Sequence, residues 1–234
     1  MLNTESFLKH TGLSYGLKDK KIIIQGFGNV GYWTAKFCQK AGAKIIGIVE
    51  ANSAIYNEDG LDVDDVKIYM KKYGRLYGYP KAKDEEMIDP MSFIEKPCDI
   101  LIPAAVERSI NKDNADRLKC KIVVEGADGP TTFLAEEILA KKGITVIPDA
   151  LINIGGATVS YFEWLKNIDH VAPGKLTRKF DEKKKLMMLE AVGFKIPEFT
   201  PLYKSLAGAK EIDIVYSGLE ETMTQAVKKH WKFA

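Results

Sequence analysis

The stretch Lys21–Gly31, KIIIQGFGNVG, decides the fold of this chain of 234 residues. It begins with the apolar run Lys21–Gln25, which is typical of a strand buried on both faces of a sheet. The residues that follow, 29–41, have a helical period, and Gly42 comes next, where a C-terminal cap glycine belongs. The run Lys44–Val49 is a second buried strand. Strand, glycine turn, helix and strand in this order predict a βαβ unit.

The glycines of this stretch form a Gly-x-Gly-x-x-Gly pattern between a buried strand and a helix, and that context favours dinucleotide binding. Gly26 allows a tight turn, Gly28 lets the backbone approach a pyrophosphate, and Gly31 lets the helix pack closely on the strand. The free N–H groups of Asn29 and Val30 at the start of the helix would meet the anion. A structural turn without a ligand is the alternative, although only a bound cofactor requires a middle residue without a side chain.

The end of the second strand carries Glu50, followed by Ala51, about 20 residues after the glycine turn. A carboxylate at this position accepts hydrogen bonds from the ribose hydroxyls of NAD and repels the 2′-phosphate of NADP. Lys44 lies too far along the strand to offset that charge, and no arginine is near in the sequence. NAD is therefore the favoured cofactor, with NADP as the second choice and an exposed strand-end glutamate as the alternative.

Strands and helices continue to alternate after this unit. We expect further strands at 98–102, 121–124 and 144–147, and helices at 4–10, 62–73, 111–118 and 133–141. Five strands separated by helices or long loops indicate an α/β fold with a Rossmann-type, doubly wound and largely parallel sheet. After Asp149 the pattern becomes helical, at 153–166, 176–191 and 211–229. The predicted divisions are a helical lead-in, a dinucleotide-binding core and a C-terminal helical extension, at 1–16, 17–165 and 166–234.

Small residues gather where the later strands end, in Pro103–Ala105, Glu125–Thr132 and Gly155–Gly156. Because an open α/β sheet binds its ligand at the carboxyl ends of its strands, we expect these loops to line one crevice with the glycine turn. A helix that starts near Asn153 would place Asn153, Gly156 and Ser160 on one face. Ordinary loop residues and an exposed helical serine are the alternatives.

The composition excludes several other classes of function. The net charge is +2, from 34 basic and 32 acidic residues, which leaves no basic surface expected for nucleic acid or an anionic membrane. No apolar run is long enough to span a bilayer. The histidines show no metal or catalytic spacing, so neither a metal site nor a catalytic histidine is assigned. The cysteines are far apart and odd in number, which predicts reduced core thiols, at Cys38, Cys98 and Cys120.

The first residues of the chain show no secretory signal, and they are acidic at Glu5 and lack arginine, against a mitochondrial presequence on the chain as given. We therefore expect a location in the cytoplasm or the mitochondrial matrix.

The combined motifs resemble those of glutamate dehydrogenases, over about residues 4–229. The residues that carry the resemblance are GFGNVG at 26–31, PAA at 103–105, EGADGPTT at 125–132, IPD at 147–149 and NIGGATVSYFEWLKN at 153–167. The larger class found in animals and many protists is the most similar. These enzymes oxidatively deaminate L-glutamate to 2-oxoglutarate and ammonia with NAD or NADP.

The resemblance also implies roles for individual residues. Glu50 would hold the adenosine ribose, and Ala104 and Ala105 would line the cofactor pocket. Asn153 would bond the nicotinamide side of the cofactor, and Ser160 would help to hold the side-chain carboxylate of the substrate.

Two residues depart from the family pattern. Asp128 stands where these enzymes usually have asparagine, and an ionised carboxylate only accepts hydrogen bonds, whereas an amide also donates them. Asp128 nevertheless remains among the expected cofactor-binding residues. Asn52 stands where aspartate is often found, which reduces the local negative charge and leaves the choice between NAD and NADP open.

The resemblance places the catalytic lysine, a catalytic aspartate and most glutamate contacts on a separate N-terminal domain. This chain begins where the cofactor domain begins, ends before the family's last helices, and is short at 183–207, where animal enzymes carry an antenna. We therefore assign no catalytic residue and expect little or no turnover by the chain alone. L-glutamate and 2-oxoglutarate would be ligands only together with a substrate domain.

The family is hexameric, which implies an oligomer or a part of a larger complex. A non-catalytic structural or regulatory subunit derived from such an enzyme is the alternative, favoured by Asp128 and by the missing domain. A dehydrogenase of another amino acid is a weaker third reading, since Ser160 and the glycines after Asn153 argue against it.

Overall fold

The computed structural model describes Thr11 and residues 13–168. The helices expected at 4–10, 176–191 and 211–229 lie outside the described residues. The chain divides into two compact units, 1–153 and 154–234. The boundary expected at residue 165 stays a prediction.

A seven-stranded sheet forms the centre of the first unit, in the order β4-β3-β2-β1-β5-β6-β7. Its strands are β1 (Lys21–Gln25), β2 (Lys44–Val49), β3 (Ala54–Tyr56), β4 (Asp84–Glu86), β5 (Ile100–Pro103), β6 (Ile122–Val124) and β7 (Thr145–Ile147). The strands from β2 across to β7 pair in parallel, and β3 and β4 add antiparallel pairs at one edge. The expected α/β fold with a largely parallel sheet is confirmed.

The two antiparallel strands were not expected from the sequence. Each has three residues, too few to show a period of two. β3 turns back on β2, where Gly47 pairs with Tyr56 and Val49 with Ala54.

Helices alternate with the parallel strands, as expected. They are α1 (Asn29–Lys40), α2 (Val63–Tyr73), α3 (Phe133–Lys141) and α4 (Asp149–Ile152) in the first unit, and α5 (Ile154–Ile168) in the second. The side chain of Asp62 accepts a hydrogen bond from Asp65 N at the start of α2, and that of Thr132 accepts one from Ala135 N at the start of α3. Such caps explain why these helices begin where the sequence predicted.

The helix expected at 111–118 is wrong. This segment contains one short 3₁₀ helix, Ala115–Arg117. Asn114 Oδ1 accepts a hydrogen bond from Asn111 N at 2.9 Å, and Asn111 Oδ1 accepts one from Asp113 N at 2.9 Å. Asparagine side chains that bond nearby backbone groups compete with helix formation, so the chain turns here instead.

The helix expected to start at Asn153 begins one residue later, and the short α4 comes directly before it. Asn153 ends α4, where its N–H donates to Asp149 O at 2.7 Å. A second 3₁₀ helix, Pro90–Glu95, was also not expected.

The core lies in the central parallel strands, which helices and loops cover on both faces. Ile22, Ile23 and Ile24 of β1 and Ile45 and Ile46 of β2 are fully buried. Each such side chain contributes roughly 1.5–3 kcal/mol to folding by leaving water. The stability of the first unit therefore depends on the two strands that flank the glycine turn. Among the described residues, no helix has the length and hydropathy needed to cross a bilayer.

The three cysteines are buried and form no disulfide, which confirms the expected core thiols. Burial raises the pKa of Cys120 to about 12 and that of Cys98 well above its usual range. Both groups are therefore protonated thiols at neutral pH, and the thiolate is the reactive form.

We predict that dithiodipyridine labels no cysteine rapidly in the folded protein at pH 7 and labels three after unfolding in guanidinium chloride. The absorbance of the released thiopyridone measures both. Because the raised pKa values of Cys98 and Cys120 leave little thiolate, raising the pH to about 9 should increase the labelling rate of the native protein only slightly. Rapid labelling of one thiol per chain in the folded protein would contradict the burial of all three cysteines.

Candidate functional site

The candidate site is the edge of the sheet at the carboxyl ends of β2, β1, β5, β6 and β7. Because β2 lies on one side of β1 and β5 on the other, the chain reverses its winding direction between β1 and β5. A crevice at such a reversal binds ligands in open α/β sheets. Every expected cofactor-binding residue lies within about six residues after the end of one of these five strands. We call this edge the rim.

Gly26 makes the turn that opens the rim. Its φ is +90°, a conformation that residues with a side chain rarely adopt. A Cβ at this position would stand 2.7 Å from Ala104 O and 2.8 Å from Ala105 Cβ. The N–H of Gly26 donates to Val49 O at 2.6 Å. The positive φ and the close approach of the neighbouring alanines therefore both require glycine here.

Gly31 and Gly28 have opposite surroundings. A Cβ on Gly31 would stand 1.8 Å from Gly26 O, so α1 rests directly on the turn. A Cβ on Gly28 would meet no atom within 4 Å. The fold therefore needs no glycine at residue 28 for packing, and the open space above it leaves the backbone accessible.

No side chain of the described residues caps the start of α1. Gly28 occupies the N-cap position without a side-chain hydrogen bond, and the first turn holds no acidic residue. The first N–H groups of any helix lack partners within the helix, and the helix dipole adds partial positive charge there. Asn29 and Val30, which carry two of these groups, are exposed. This helix start can accept an anionic group such as a phosphate.

Glu50 lies against the glycine turn. Its Oε1 accepts a hydrogen bond from Phe27 N, and its own N–H donates to Ser53 O at 2.9 Å. The carboxylate is half-buried beside the exposed Ala51. While Oε1 is bonded to the turn, Oε2 has no hydrogen bond to any described residue.

The alanines after β5 connect the turn to the next loop of the rim. Ala104 N donates to Gln25 O at 2.7 Å, and the N–H groups of Gly126 and Ala127 both donate to Pro103 O at 2.9 Å. A Cβ on Gly126 would stand 3.2 Å from Ala104 Cβ. The loops after β1, β5 and β6 therefore touch one another through small residues.

Polar groups converge at the far end of the rim. Asn153 Nδ2 donates to Asp128 Oδ1 at 2.9 Å, and both residues are exposed. Nearby, Gly129 N donates to Asp149 Oδ2 at 2.8 Å, and Asp149 N donates to Glu125 Oε2 at 3.0 Å. The structure brings together Asp128 and Asn153, which are distant in sequence, and places a negative charge beside the amide.

Sequence reasoning missed one residue of this site. Lys67, on α2, donates from Nζ to Phe27 O at 3.3 Å, in the middle of the glycine turn. Nothing in the linear sequence signals this contact, because the two residues are joined only by the packing of α2 on α1.

Ser160 lies on α5 and is exposed, as is Gly156. α5 belongs to the second compact unit. The use of Ser160 for substrate binding stays a prediction.

The fold and the rim define an α/β protein with a Rossmann-like sheet. Residues 1–193 match the model of the Glutamate/Leucine/Phenylalanine/Valine dehydrogenase family, and the chain belongs to this family.

The similar proteins include a mitochondrial glutamate dehydrogenase of Dictyostelium discoideum, 47% identical over all of this chain and 47% of the relative. An NADP-specific glutamate dehydrogenase of Saccharolobus shibatae is 46% identical over 65% of this chain and 35% of its own length. The catabolic NAD-specific enzyme RocG of Bacillus subtilis is 44% identical over 70% and 37%. The chain thus spans about half the length of the Dictyostelium relative and a smaller share of the other two.

The fold is also that of a solved hetero-hexameric glutamate dehydrogenase from Thermus thermophilus. The TM-score is 0.65 at 24% identity, over 94% of this chain and 50% of the other.

The different surroundings of Gly31 and Gly28 give a testable pair of substitutions. Gly31→Ala should lower the free energy of unfolding by about 3 kcal/mol or more, because its Cβ meets backbone that has to move. Gly28→Ala should cost about 1 kcal/mol or less, since its Cβ enters open space and only the poorer N-cap preference of alanine is felt. Urea titrations followed by circular dichroism measure both. Equal destabilisation by the two variants would show that this description of the turn is wrong.

Proposed function

We propose that this chain is the NAD(P)-binding part of a glutamate dehydrogenase-like oxidoreductase that converts L-glutamate to 2-oxoglutarate and ammonia. The observation that carries the proposal is the glycine turn, in which Gly28 faces open space at the uncapped start of α1. Such a helix start suits a pyrophosphate, and the carboxylate of Glu50 beside it suits the hydroxyls of the adenosine ribose.

The other half of the cofactor would lie along the rim towards β7. Small residues there, Ala104, Ala105 and Gly126, leave room for a flat ring and its ribose. The Asn153 amide and the Asp128 carboxylate would contact the nicotinamide end. A nicotinamide held there would supply the hydride acceptor for the oxidation of the amino acid. The role of this chain is to orient the nicotinamide and to keep water from one of its faces.

We propose that the group which polarises the substrate lies on a separate substrate domain. A lysine in that role needs a pKa lowered by burial. Among the described lysines only Lys20 is buried, and it directly precedes β1, at the edge of the sheet opposite the rim. Ser160 would bind the side-chain carboxylate of glutamate once the substrate domain is present.

Assembly, cofactor choice and location belong to the same proposal. The names of the relatives include NAD-specific, NADP-specific and mitochondrial enzymes, and the Thermus relative is a hetero-hexamer. We infer an oligomer, or one component of a complex, in the mitochondrial matrix or the cytoplasm. NAD is the expected cofactor by Glu50, and NADP the second.

The first test is titration of the purified chain with NAD⁺ and NADP⁺ by isothermal calorimetry, with Gly28→Ala as the matched variant. We expect saturable binding that Gly28→Ala weakens by about tenfold or more, because a methyl group then occupies the space above the turn. Absence of binding at millimolar NAD⁺ and NADP⁺ would leave only a structural or regulatory subunit.

The second test is NADH production from L-glutamate, which we expect to be undetectable for the chain alone. Measurable turnover would show that it carries its own catalytic lysine.

One observation favours the second candidate, a non-catalytic subunit derived from such an enzyme. At the end of the rim proposed for the nicotinamide, the carboxylate of Asp128 accepts a hydrogen bond from the side-chain amide of Asn153. If the cofactor still binds, that carboxylate should favour the oxidised form, whose ring is a cation. We predict that Asp128→Asn weakens NAD⁺ relative to NADH about fivefold, the effect of about 1 kcal/mol of attraction across a partly hydrated gap.

The control for this substitution is Asp116→Asn. Asp116 has 85% of its side chain exposed and lies beside Lys142, which comes shortly before β7 at the opposite edge of the sheet. Fluorescence titration with NADH and competition with NAD⁺ give the ratio. An unchanged ratio in Asp128→Asn would remove Asp128 from the nicotinamide end.

A further inference from the structure

Lys67 is held at the glycine turn by the packing of two helices. Its Nζ lies 3.3 Å from Phe27 O, 5.6 Å from the centre of the Phe27 ring and 5.1 Å from that of Tyr32. Phe27 is fully buried, and Tyr32 lies on the first turn of α1. The two ring faces and one carbonyl therefore fix the ammonium group close to the start of α1.

The charge of Lys67 has no carboxylate partner among the described residues. The acidic residues in the first turn of its own helix are bonded elsewhere: Asp64 pairs with Lys36 at 2.8 Å, and Asp65 pairs with Lys81 at 2.6 Å. These hydrogen bonds hold the pKa of both carboxyl groups below the usual range. Lys67 is thus an uncompensated cation beside the phosphate-binding turn.

The same residue of the turn contacts both charged side chains. Phe27 donates its N–H to Glu50, and Phe27 O accepts from Lys67. Glu50 directly follows β2, and α2 follows β3, the next strand outward in the sheet. Lys67 therefore approaches the turn from the side on which the proposed function places the adenosine ribose, and not from the nicotinamide side.

We propose that Lys67 enables this site to bind NADP as well as NAD, by offering its ammonium group to the 2′-phosphate of the adenosine ribose. A 2′-phosphate carries between one and two negative charges, which Glu50 alone would repel. A lysine acts on phosphate as a point charge and needs no fixed bidentate geometry. The inference rests on the proposed function, since it assumes that the adenosine half lies at Glu50.

The test compares the full chain with Lys67→Met, which keeps the apolar contact with the two rings and removes the charge. Lys71→Met is the matched control, because Lys71 lies about one turn further along α2 and is exposed. The ligands are NADP⁺ and NAD⁺, and also adenosine 2′,5′-bisphosphate and 5′-AMP, which differ only in the 2′-phosphate. Calorimetry measures the affinities, and urea unfolding checks that each variant is folded.

We expect Lys67→Met to weaken NADP⁺ and the bisphosphate about tenfold or more, and NAD⁺ and 5′-AMP less than about twofold. Lys67→Arg should restore most of the loss, and Lys71→Met should change nothing. An equal loss for all four ligands would mean that Lys67 only supports the turn, and the inference would be wrong. It would also be wrong if the unaltered protein bound NAD⁺ but not NADP⁺. Binding of none of the four ligands by the unaltered protein would instead refute the proposed function, and this inference with it.

Discussion

The close approach of α1 to the end of β1 is the constraint on which the rest of the structure depends. A Cβ on Gly31 would stand 1.8 Å from the carbonyl oxygen of Gly26, so no other residue fits without moving the helix. This contact aims the start of α1 along the rim and leaves Gly28 in open space. The same turn donates a hydrogen bond to Val49 of β2 and approaches Ala104, which directly follows β5.

Phe27 connects this backbone constraint to the charges of the site. Its ring is buried below the turn, its N–H is bonded to a carboxylate, and its carbonyl is bonded to an ammonium group. A residue between two glycines thus positions Glu50 and Lys67 relative to the helix start. An apolar anchor of this kind costs little conformational freedom, because the ring is already fixed by the core. Two side chains of opposite sign can therefore be held near one another without forming an ion pair.

Along the rim the side chains change from charged to small and then to polar. Glu50 and Lys67 lie at one end, Ala104 and Gly126 in the middle, and Asp128 with Asn153 at the other end. Under the proposed function, the adenosine ribose would lie at Glu50, the pyrophosphate at the glycine turn beside it, and the nicotinamide with its ribose along the small residues towards Asp128 and Asn153. The sheet order β2-β1-β5-β6-β7 converts five loops that are distant in sequence into this one linear surface.

The sequence by itself determined the five parallel strands, the helices α1, α2 and α3 and the glycine turn, because buried apolar runs and glycine spacing are local signals. It did not reveal β3 and β4, which exist only through pairing with β2, and it placed a helix at 111–118 where asparagine side chains bond the backbone instead. Of the candidate site, it predicted the residues that follow the parallel strands. Only the tertiary structure showed the Asp128–Asn153 hydrogen bond and placed Lys67 at Phe27, because contacts between elements distant in the chain depend on how helices and loops pack, and no local pattern encodes that.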